Sequence, residues 1–482
     1  MTDKSKEKYT HPLTSRYASD EMSKVWSDMT KFSTWRKLWI ALATAEKECG
    51  LDIKESQIEQ MKSKLYDIDF KYAAEQEKKL RHDVMSHIHT FGKACPDAAP
   101  IIHLGATSCF ITDNTELTQI KEALALVKAK LVRVIDALKD MALKYKDMPT
   151  LGFTHYQPAQ LTTVGKRASL WLQDFVFDLQ NLDRLIENLP FRGVKGTTGT
   201  QASYLALFNG DHKKVKELDG KVAKLMGFTK TIPVSGQTYT RKLDFMVTSV
   251  LSGIAQSANK MANDIRLLMN LREVEEPFGK NQVGSSAMAY KRNPMRSERV
   301  CSLARYVISL TANTAHTHAT QWFERTLDDS ANRRMVLPES FLAVDSILLI
   351  VTNVVSGIVV WPHVIRKRVM EALPFMATEN ILMACVKEGG NRQDLHEAIR
   401  EHSMEAAKVM KEKGGECDLL ERIAKDDSFK AVHATLKDIV NPKLYVGRSP
   451  EQTAEFVESE VVPVLKANAA LLQDKKEVQL KV

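Results

Sequence analysis

The stretch "TDNTELTQIKEALALVKAKLVRVIDALKDMALKYK", residues Thr112 to Lys146, decides the fold. It lies within a segment from Ala106 to Met148 that contains no glycine and no proline. Thr112 or Asp113 is expected to cap its start, and Pro149 to end it. The spacing predicts one helix about 50 Å long at about 1.5 Å per residue. Its apolar residues recur at alternating steps of three and four, as on one helical face: Leu117, Ile120, Leu124, Val127, Leu131, Val134, Leu138 and Met141.

Four further segments show the same helical periodicity. One runs from Pro158 to a stop at Pro190, one from about Thr240 to Glu276, and two lie between Ser297 and Ala372. Strand signals are sparse, and only "KTIPVSGQTY" (Lys230–Tyr239) suits a short extended or hairpin element. The pattern predicts an all-α fold, with an elongated central bundle of about five long helices flanked by two smaller helical domains. The expected domains are residues 1–111, 112–363 and 364–482.

Composition narrows the class of protein. With 44% hydrophobic residues among 482, and only 21 glycines and 15 prolines, the chain can bury a large core. Its net charge of +8 is modest and spread without a long basic block, so nucleic-acid binding is not favoured. The six cysteines are scattered without a CxxC pair, which argues against a zinc ribbon or disulfide framework and suits a reducing compartment.

Two segments bear on location. The opening "MTDKSKEKYT" is charged and lacks the apolar core of a secretory signal. The most apolar stretch, Ser346 to Trp361, is short and interrupted by Asn353, Ser356 and Gly357, so we interpret it as a buried helix rather than a membrane span. We therefore expect a cytoplasmic protein that does not bind membranes.

Chemistry is expected where the helical pattern breaks. Six such stretches stand out: "TSRYAS" (Thr14–Ser19), "LRHDVMSHIHTF" (Leu80–Phe91), "HLGATS" (His103–Ser108), "TLGFTHYQPAQ" (Thr150–Gln160), "GSSAMAYKRNP" (Gly284–Pro294) and "FERTLDDSANRR" (Phe323–Arg334). In the second, His82, His87 and His89 invite a metal, but their spacing does not place them on one helical face and no further ligand cluster completes a shell. We expect no metal and no cofactor.

Each remaining stretch has an ordinary structural interpretation beside a functional one. Thr107 and Ser108 can hold a carboxylate or phosphate at a helix N-terminus, or form an ordinary cap. His155, in a polar loop between two bundle helices, can exchange protons near neutral pH. Lys291 and Arg292 can hold an anion beside the serines of their loop. The arginines between residues 325 and 334 also suit a solvated helix face.

Taken together, the motifs resemble the fumarase/aspartase superfamily. "GSSAMAYKRNP" is similar to its mobile-loop pattern Gly-Ser-Ser-x-Met-Pro-x-Lys-x-Asn-Pro, and "RYAS", "RHDVMSH", "TLGFTHYQPAQ" and "ERTLDDSANRR" resemble the adenylosuccinate lyase family within it. The resemblance runs through these motifs in order, from about residue 10 to about residue 400. One departure is Ala289, where the pattern has proline. It gives the loop more conformational freedom but removes no catalytic group.

The resemblance implies a β-elimination that cleaves a C–N bond and releases fumarate. Such a reaction needs a base for the proton beside a carboxylate, an acid for the departing nitrogen, and fixed donors for the carboxylates. By motif position, Ser285 is the implied base and His155 the implied acid. Lys291 is implied to stabilise the serine alkoxide when the loop closes, and His82 with Asp83 to orient His155. The implied substrates are adenylosuccinate and the succinyl-aminoimidazole-carboxamide ribotide of purine nucleotide biosynthesis.

The resemblance also implies the substrate-binding residues. Thr107, Ser108 and Lys291 would hold the succinyl carboxylates. The phosphate end would bind to two motifs, which we call the N-terminal motif ("TSRYAS") and the arginine-rich motif ("FERTLDDSANRR"). The full implied set is Arg16, Tyr17, Arg81, His82, Asp83, Thr107, Ser108, Gln237, Lys291, Asn293, Arg299, Arg325, Ser330 and Arg334.

Length predicts that the site is shared between subunits. Ser108 precedes the helix of about 50 Å and His155 follows it, so one chain cannot bring both to one substrate. A neighbouring antiparallel bundle can. The resemblance implies a homotetramer whose sites are each built from three chains.

Three alternatives remain open. A sister lyase acting on argininosuccinate, fumarate or aspartate would share the loop, but would not need the cluster between Arg325 and Arg334. A non-catalytic helical scaffold would tolerate loss of Ser285 and His155, and only Ala289 favours it. A nucleic-acid-binding protein would bind DNA or RNA with a steep salt dependence.

Overall fold

The N-terminal part of the chain folds into short helices around α2. The computed structural model describes residues 7–473 and 480–481, so the first six residues of the opening segment and residues 474–479 and 482 of the third predicted domain lie outside it. A single helical turn at Leu13–Tyr17 comes first. The helices of this part are α1 (Asp20–Val25), α2 (Asp28–Glu48), α3 (Glu55–Ser63), α4 (Phe70–Leu80) and α5 (Asp83–Ala94).

Five long helices form the central bundle, and the predicted all-α fold is confirmed. Between them lie short helices and four short strands. In chain order the elements are α6 (Ser108–Lys144), β1 (Pro149–Thr154), β2 (Gln157–Thr163), α7 (Val164–Asn188), α8 (Ala202–Leu207), α9 (His212–Leu225), α10 (Lys242–Asn270), β3 (Val274–Glu275), α11 (Met295–Ala319), α12 (Asp328–Gly357) and β4 (Val359–Val360). Helix α10 packs along α11 and α7, and α12 packs against α11 and α6. The apolar stripe predicted for α6 is buried along its length.

The C-terminal part is again made of shorter helices. They are α13 (Pro362–Met376), α14 (Thr378–Lys387), α15 (Arg392–Lys413), α16 (Leu419–Lys425), α17 (Leu436–Ile439), α18 (Ser449–Phe456) and α19 (Val462–Ala467). Helix α13 packs on β1, and α18 packs on α7.

Helix directions give the bundle two distinct ends. Arg241, just before α10, pairs with Asp113 near the start of α6 and with Asp329 near the start of α12. Helices α6, α10 and α12 therefore start together, at what we call the cleft end. The backbone N–H of Gly165, at the start of α7, donates to the carbonyl of Tyr145 just after α6. The start of α7 thus lies beside the end of α6, at what we call the hairpin end.

Several predicted boundaries were wrong. Helix α6 begins at Ser108 with Thr107 as its N-cap, because Asp113 is buried in an ion pair inside the helix and does not cap it. Pro158 does not open a helix: it lies in β2, which pairs antiparallel with β1, and α7 starts only at Val164. The third long helix ends at Asn270, because residues Val274–Glu275 leave it to pair with β4.

Most of the most apolar stretch forms a buried helix, as predicted: residues 346–357 are the second half of α12, whereas residues 358–361 leave the helix and contain β4. Helix α12 is long and apolar enough to be taken for a membrane span by composition, although 72% of its apolar window is buried inside the protein. The predicted extended element at residues 230–239 is reduced to one bridge between Thr231 and Phe191.

Candidate active site

A cleft of about 710 Å³ opens at the cleft end of the bundle. The N-terminus of α6, the first turns of α12 and the junction of α4 and α5 form its walls. It brings together eight of the residues predicted for the site: Arg81, His82, Asp83, Ser108, Gln237, Arg325, Ser330 and Arg334. Motifs separated by up to about 250 residues of sequence thus meet around one cavity, because α6 and α12 start side by side.

The N-terminus of α6 is open to an anion. Thr107 occupies the N-cap position, but its side chain makes no cap hydrogen bond, so backbone N–H groups of the first turn remain available. The preceding turn is tight: Gly105 has φ +64°, and a Cβ there would come within 2.9 Å of both Leu207 and Tyr204. Only glycine fits, and the turn places Ser108 on the cleft wall.

His82 faces Ser108 across the cleft wall. Its Nδ1 accepts the backbone N–H of Met85 at 3.3 Å and thereby caps α5. A neutral ring then carries its proton on Nε2, which lies 3.5 Å from Ser108 Oγ. The adjacent Asp83 accepts a hydrogen bond from Arg334 Nη2 at 2.9 Å. Burial alone would raise the pKa of the Asp83 carboxyl, but the N–H of Val84 and the guanidinium of Arg334 together lower it.

A buried network of ion pairs holds the cleft floor. Arg241 donates from Nε to Asp329 at 2.6 Å and from Nη2 to Asp113 at 3.1 Å. Arg325 also pairs with Asp329, at 3.0 Å. The network ties α6, α10 and α12 together at their starts, so these carboxylates and guanidinium groups hold each other in place and leave Arg325 at the rim of the cavity.

A second buried arginine extends this network. Arg333 donates to Asp244 at 2.7 Å and also contacts Glu116 and the Tyr239 hydroxyl. Its neighbour Arg334 is exposed and, four residues after Ser330, shares that residue's face of α12. The residues of the arginine-rich motif therefore have two roles. Arg333 is buried in the ion-pair network, whereas Arg325, Ser330 and Arg334 line the cavity.

The backbone fixes Gln237 at the cleft edge. Its N–H donates to the carbonyl of Glu324 at 3.0 Å, and its side-chain Nε2 donates to the carbonyl of Thr197 at 3.0 Å. The buried guanidinium of Arg192 donates to the Gln237 carbonyl. Because these contacts leave its Oε1 facing Cys109 Sγ at 3.5 Å, the amide lies beside the start of α6.

The histidines of "LRHDVMSHIHTF" are separated in the fold. His82 lines the cleft, and His89 is exposed. His87 is buried and stacks on Phe32 with 3.8 Å between ring centroids. Burial and the nearby Arg36 lower the pKa of His87 to about 4. His87 is therefore a packed, neutral core residue.

His155 lies at the tip of the β1–β2 hairpin, where sequence analysis expected a loop. The hairpin turn has two central residues, His155 with φ 52° and Tyr156 with φ 58°. A turn with both residues in the left-handed region normally uses Asn-Gly, because side chains with a Cβ are strained there. Strain of this kind is found at functional sites when the surrounding structure maintains it. The turn leaves both side chains exposed to solvent.

The loop that contains "GSSAMAYKRNP", residues 282–296, lies at the hairpin end of the bundle, and its motif resemblance implies a lid that closes over the substrate. Asn293 Nδ2 donates to the carbonyl of Gly284 at 2.9 Å, and a Cβ at Gly284 would lie 2.0 Å from the carbonyl oxygen of Lys291. The two limbs of the loop therefore touch at a glycine that cannot be replaced without moving them. Ser285 Oγ accepts backbone N–H groups from Ala287 at 3.3 Å and Met288 at 3.1 Å.

The N-terminal motif joins a third group of residues. The Tyr17 ring lies under two guanidinium groups, 5.9 Å from Arg16 and 5.3 Å from Arg299. The motif is anchored to the bundle because the backbone N–H of Ser19 donates to the buried Asp345 on α12 at 2.7 Å. Arg16 and Arg299 are thereby held beside each other on one chain.

One chain therefore holds the predicted site residues in separate groups. The cleft contains eight of them, with Thr107 beside Ser108, whereas His155 and the loop residues Ser285, Lys291 and Asn293 do not line it. Helix α6 has 37 residues, so Ser108 and the hairpin lie about 55 Å apart at about 1.5 Å per residue.

Sequence reasoning missed some cleft residues. Lys31, Trp35 and Glu116 line the cavity although no motif marks them. Lys31 and Glu116 lie within long amphipathic helices, where a charged residue usually marks a solvated face. Only the packing of α6 against α2 and α12 shows that they face a cavity.

Family models match most of the chain. A model described as "Lyase" matches residues 15–309, and a model described as "Adenylosuccinate lyase C-terminus" matches residues 374–456.

Curated relatives are similar over nearly the whole length. The adenylosuccinate lyase of Saccharomyces cerevisiae is 55% identical over 98% of this chain and 99% of its own. That of Schizosaccharomyces pombe is 55% identical over 97% of this chain and 98% of its own. The Pyrococcus abyssi adenylosuccinate lyase is 32% identical over 92% of this chain and 96% of its own.

Solved structures with lower identity share the fold. A fumarate lyase from Mesorhizobium sp. BNC1 superposes with a TM-score of 0.78 at 21% identity, covering 94% of this chain and 100% of its own. The 3-carboxy-cis,cis-muconate lactonizing enzyme from Pseudomonas putida has a TM-score of 0.80 at 22% identity, covering 94% of this chain and 99% of its own. These two structures show the fold, and adenylosuccinate lyases match the sequence over nearly their full length, so the chain belongs to the adenylosuccinate lyase family.

Proposed function

We infer that this chain is a carbon–nitrogen lyase that splits adenylosuccinate into AMP and fumarate. By the same chemistry it releases fumarate from the succinyl-aminoimidazole-carboxamide ribotide, in purine nucleotide biosynthesis. The observation that carries this inference is that relatives with this activity in their names match 98% of the chain, while its cleft collects arginine side chains and a helix N-terminus suited to a multiply charged nucleotide.

The reaction divides into three tasks. A base takes the proton from the carbon next to a succinyl carboxylate, and the electron pair spreads onto that carboxylate as the C–N bond breaks. An acid then protonates the departing nitrogen. We assign the base to Ser285 Oγ and the acid to His155. The open N-terminus of α6 at Thr107 and Ser108, together with Lys291, would hold the carboxylates as their charge grows.

The loop geometry supports Ser285 as the base. A serine hydroxyl needs help to lose its proton, and donors directed at its oxygen supply that help by stabilising the alkoxide. Two backbone N–H groups, from Ala287 and Met288, already point at Ser285 Oγ. Closure of the loop over a substrate would exclude water and strengthen these contacts. Ala289 is exposed in the loop and contributes no group to this arrangement.

The cleft end supports the binding of the nucleotide. Arg334 is exposed and bonds Asp83 through Nη2 alone, so its other N–H groups can bind a phosphate. Ser330 lies one helical turn earlier on the same face. We assign the phosphate to Arg325, Ser330 and Arg334, with Arg16 and Tyr17 supplied by another chain.

We propose that the active enzyme is a homotetramer with shared sites. The support is the separation of about 55 Å between the cleft and the hairpin tip along α6, which no loop closure spans. A neighbouring bundle packed antiparallel would bring its hairpin end to this chain's cleft end. We also place the enzyme in the cytoplasm, because its scattered cysteines suit a reducing compartment.

Fumarate release measured by absorbance tests the activity. The purified protein should convert adenylosuccinate and the succinyl ribotide, and should leave argininosuccinate and aspartate unchanged. Turnover of argininosuccinate in preference to adenylosuccinate would identify it as a sister lyase instead.

Mixing two inactive variants tests the shared site. The first carries Thr107→Val with Ser108→Ala, and the second carries His155→Ala. Each alone should be inactive, whereas tetramers assembled from both should regain part of the activity because some sites contain only intact residues. Wild-type protein should also elute well above 54.3 kDa. An active monomer, or mixed tetramers that stay inactive, would refute the shared site.

A further inference from the structure

We propose that Lys31, on α2, is an additional phosphate-binding residue of the cleft that acts beside Arg334. No sequence motif contains it, and the inference rests on the proposed function, since it assumes that the cleft binds a nucleotide.

The ammonium group of Lys31 is held inside the cleft by aromatic rings. Its Nζ lies 5.0 Å from the centroid of the Phe32 ring and 5.5 Å from that of Trp35. Trp35 is fully buried and itself lines the cleft, so this wall is fixed. Cation–π contacts of this kind favour a particular position of the ammonium without neutralising its charge.

Lys31 differs in its ionic partners from four arginines of the cleft. Arg241, Arg325, Arg333 and Arg334 each pair with a carboxylate. For Lys31, in contrast, no carboxylate within residues 7–473 and 480–481 comes within 4.0 Å of Nζ, and no hydrogen-bond acceptor is in reach. A half-buried ammonium without an acceptor is unfavourable. An anion bound here would supply the acceptor that the described protein residues do not.

The electrostatics of the cleft agree with this geometry. Burial is the main reason why the pKa of Lys31 is lowered, and the positive charge of Arg334 lowers it further. Glu116, Asp83 and Asp28 act in the opposite direction without reversing the shift. An anion placed between Lys31 and Arg334 would remove the repulsion between these two cations.

A phosphate fits this position better than the other anionic groups of the substrate. Arg334 belongs to the face of α12 assigned to the phosphate, so an anion shared with Lys31 is the phosphate rather than a succinyl carboxylate. A lysine acts as a compact point charge and suits a tetrahedral oxyanion, beside the planar fork of an arginine. The two residues together would contact different phosphate oxygens.

Binding of AMP and adenosine to single variants of the full-length protein tests the proposal. Lys31→Met keeps the length of the side chain and removes its charge, and Lys31→Arg keeps the charge. Lys37→Met is a matched control, because Lys37 lies on the same helix over the Tyr66 ring at 5.9 Å and does not line the cleft. Calorimetry should give an AMP dissociation constant about tenfold higher for Lys31→Met, as expected for one charge-assisted contact.

The remaining measurements should separate the possible anions. Adenosine should bind Lys31→Met as it binds wild type, and Lys31→Arg should retain most of the AMP affinity. Arg334→Ala should behave like Lys31→Met, and Lys37→Met like wild type. Unchanged AMP binding by Lys31→Met would overturn the proposal, as would equal losses for AMP and adenosine. A loss confined to adenylosuccinate, with AMP unaffected, would assign Lys31 to a succinyl carboxylate and also overturn it.

Two controls keep the result interpretable. If Lys31→Met unfolds, as judged by its thermal midpoint, Lys31→Gln replaces it with a polar side chain and the same outcomes apply. Wild type is assayed for adenylosuccinate cleavage in the same preparation. An inactive wild type would refute the proposed function, whereas an active wild type with normal AMP binding in the Lys31 variants refutes only the role of Lys31.

Discussion

An ion pair at each end of the bundle shows how differently the two ends can hold charge. At the cleft end, Arg241 and Asp113 pair with side chains that are each only 1% exposed. At the hairpin end, Arg292 and Glu275 pair with side chains that are 49% and 27% exposed. The Arg241–Asp113 pair therefore lies in the core, whereas the Arg292–Glu275 pair is in contact with water.

The residues assigned to nucleotide binding and those assigned to proton transfer lie in correspondingly different surroundings. The groups assigned to the nucleotide stand on helix starts that a buried ion network fixes before any ligand arrives, so little rearrangement is needed to bind charge. The groups assigned to acid and base stand on an exposed strained turn and an exposed loop. In the proposed tetramer, these exposed segments would reach the cleft of another chain.

The largest effect expected from this division is on turnover. Ser285→Ala and His155→Ala should each lower kcat by about 10²- to 10⁴-fold, the usual contribution of a positioned acid or base. Both side chains lie outside the helical core, so thermal midpoints and AMP affinity should stay close to wild type. Steady-state kinetics with adenylosuccinate, together with thermal unfolding, measures both.

Ser286→Ala is the matched control for the loop. Ser286 is exposed next to Ser285, and no hydrogen bond of its side chain is seen in the described parts of the chain. It should keep most of the activity. Equal losses of activity for Ser285→Ala and Ser286→Ala would contradict the assignment of the base to Ser285. Near-normal turnover of His155→Ala would contradict the assignment of the acid to His155.

The second effect concerns stability and contrasts the two ion pairs. Asp113→Asn removes the negative charge that faces Arg241 and replaces one of its two acceptor oxygens by an amide NH2. Asp113 Oδ2 also accepts the Tyr239 N–H at 2.8 Å. Breaking a buried pair in this way should cost about 3–5 kcal/mol. Glu275→Gln breaks the exposed pair and should cost less than about 1 kcal/mol. Denaturant unfolding of both variants compares them, and similar losses would contradict the proposed difference between the ends.

The third effect concerns a buried carboxyl group that, unlike those of the cleft-end network, has no cationic partner among the described residues. Glu46 on α2 is fully buried, and neither of its carboxylate oxygens has a hydrogen-bond partner among the described residues. Burial raises its pKa from 4.5 to about 9. The folded state therefore favours the protonated form, and stability should be lost as the pH rises from 4.5 towards 9.

Replacing Glu46 by Gln removes this titration. Near neutral pH the variant should be more stable than wild type by on the order of 2 kcal/mol, with a larger gain at about pH 8.5 and a smaller one at about pH 5.5. Thermal midpoints at the two pH values measure the difference. Parallel pH profiles for wild type and Glu46→Gln would show that Glu46 is solvated in the folded protein.

Much of the architecture could be predicted from sequence, because long helices follow from local rules. The apolar stripe from Leu117 to Met141 and the absence of glycine and proline were enough for α6. The prediction failed where a distant partner decided the structure. Asp113 resembles a helix cap in sequence but is buried against Arg241, and Pro158 lies in a strand because β1 is available to pair with it.

The sequence by itself determined the bundle, the family and the motifs, since periodicity and motif spelling are properties of neighbouring residues. Only the tertiary structure decided which motifs meet. It placed Ser108 beside His82 and Arg334, set His155 at the far end of α6, and brought Lys31 to the cleft wall without any motif. Such placements depend on which helices pack side by side and on the directions in which they run. The apolar stripes drive this packing, but their sequence pattern does not indicate which charged residues will become neighbours.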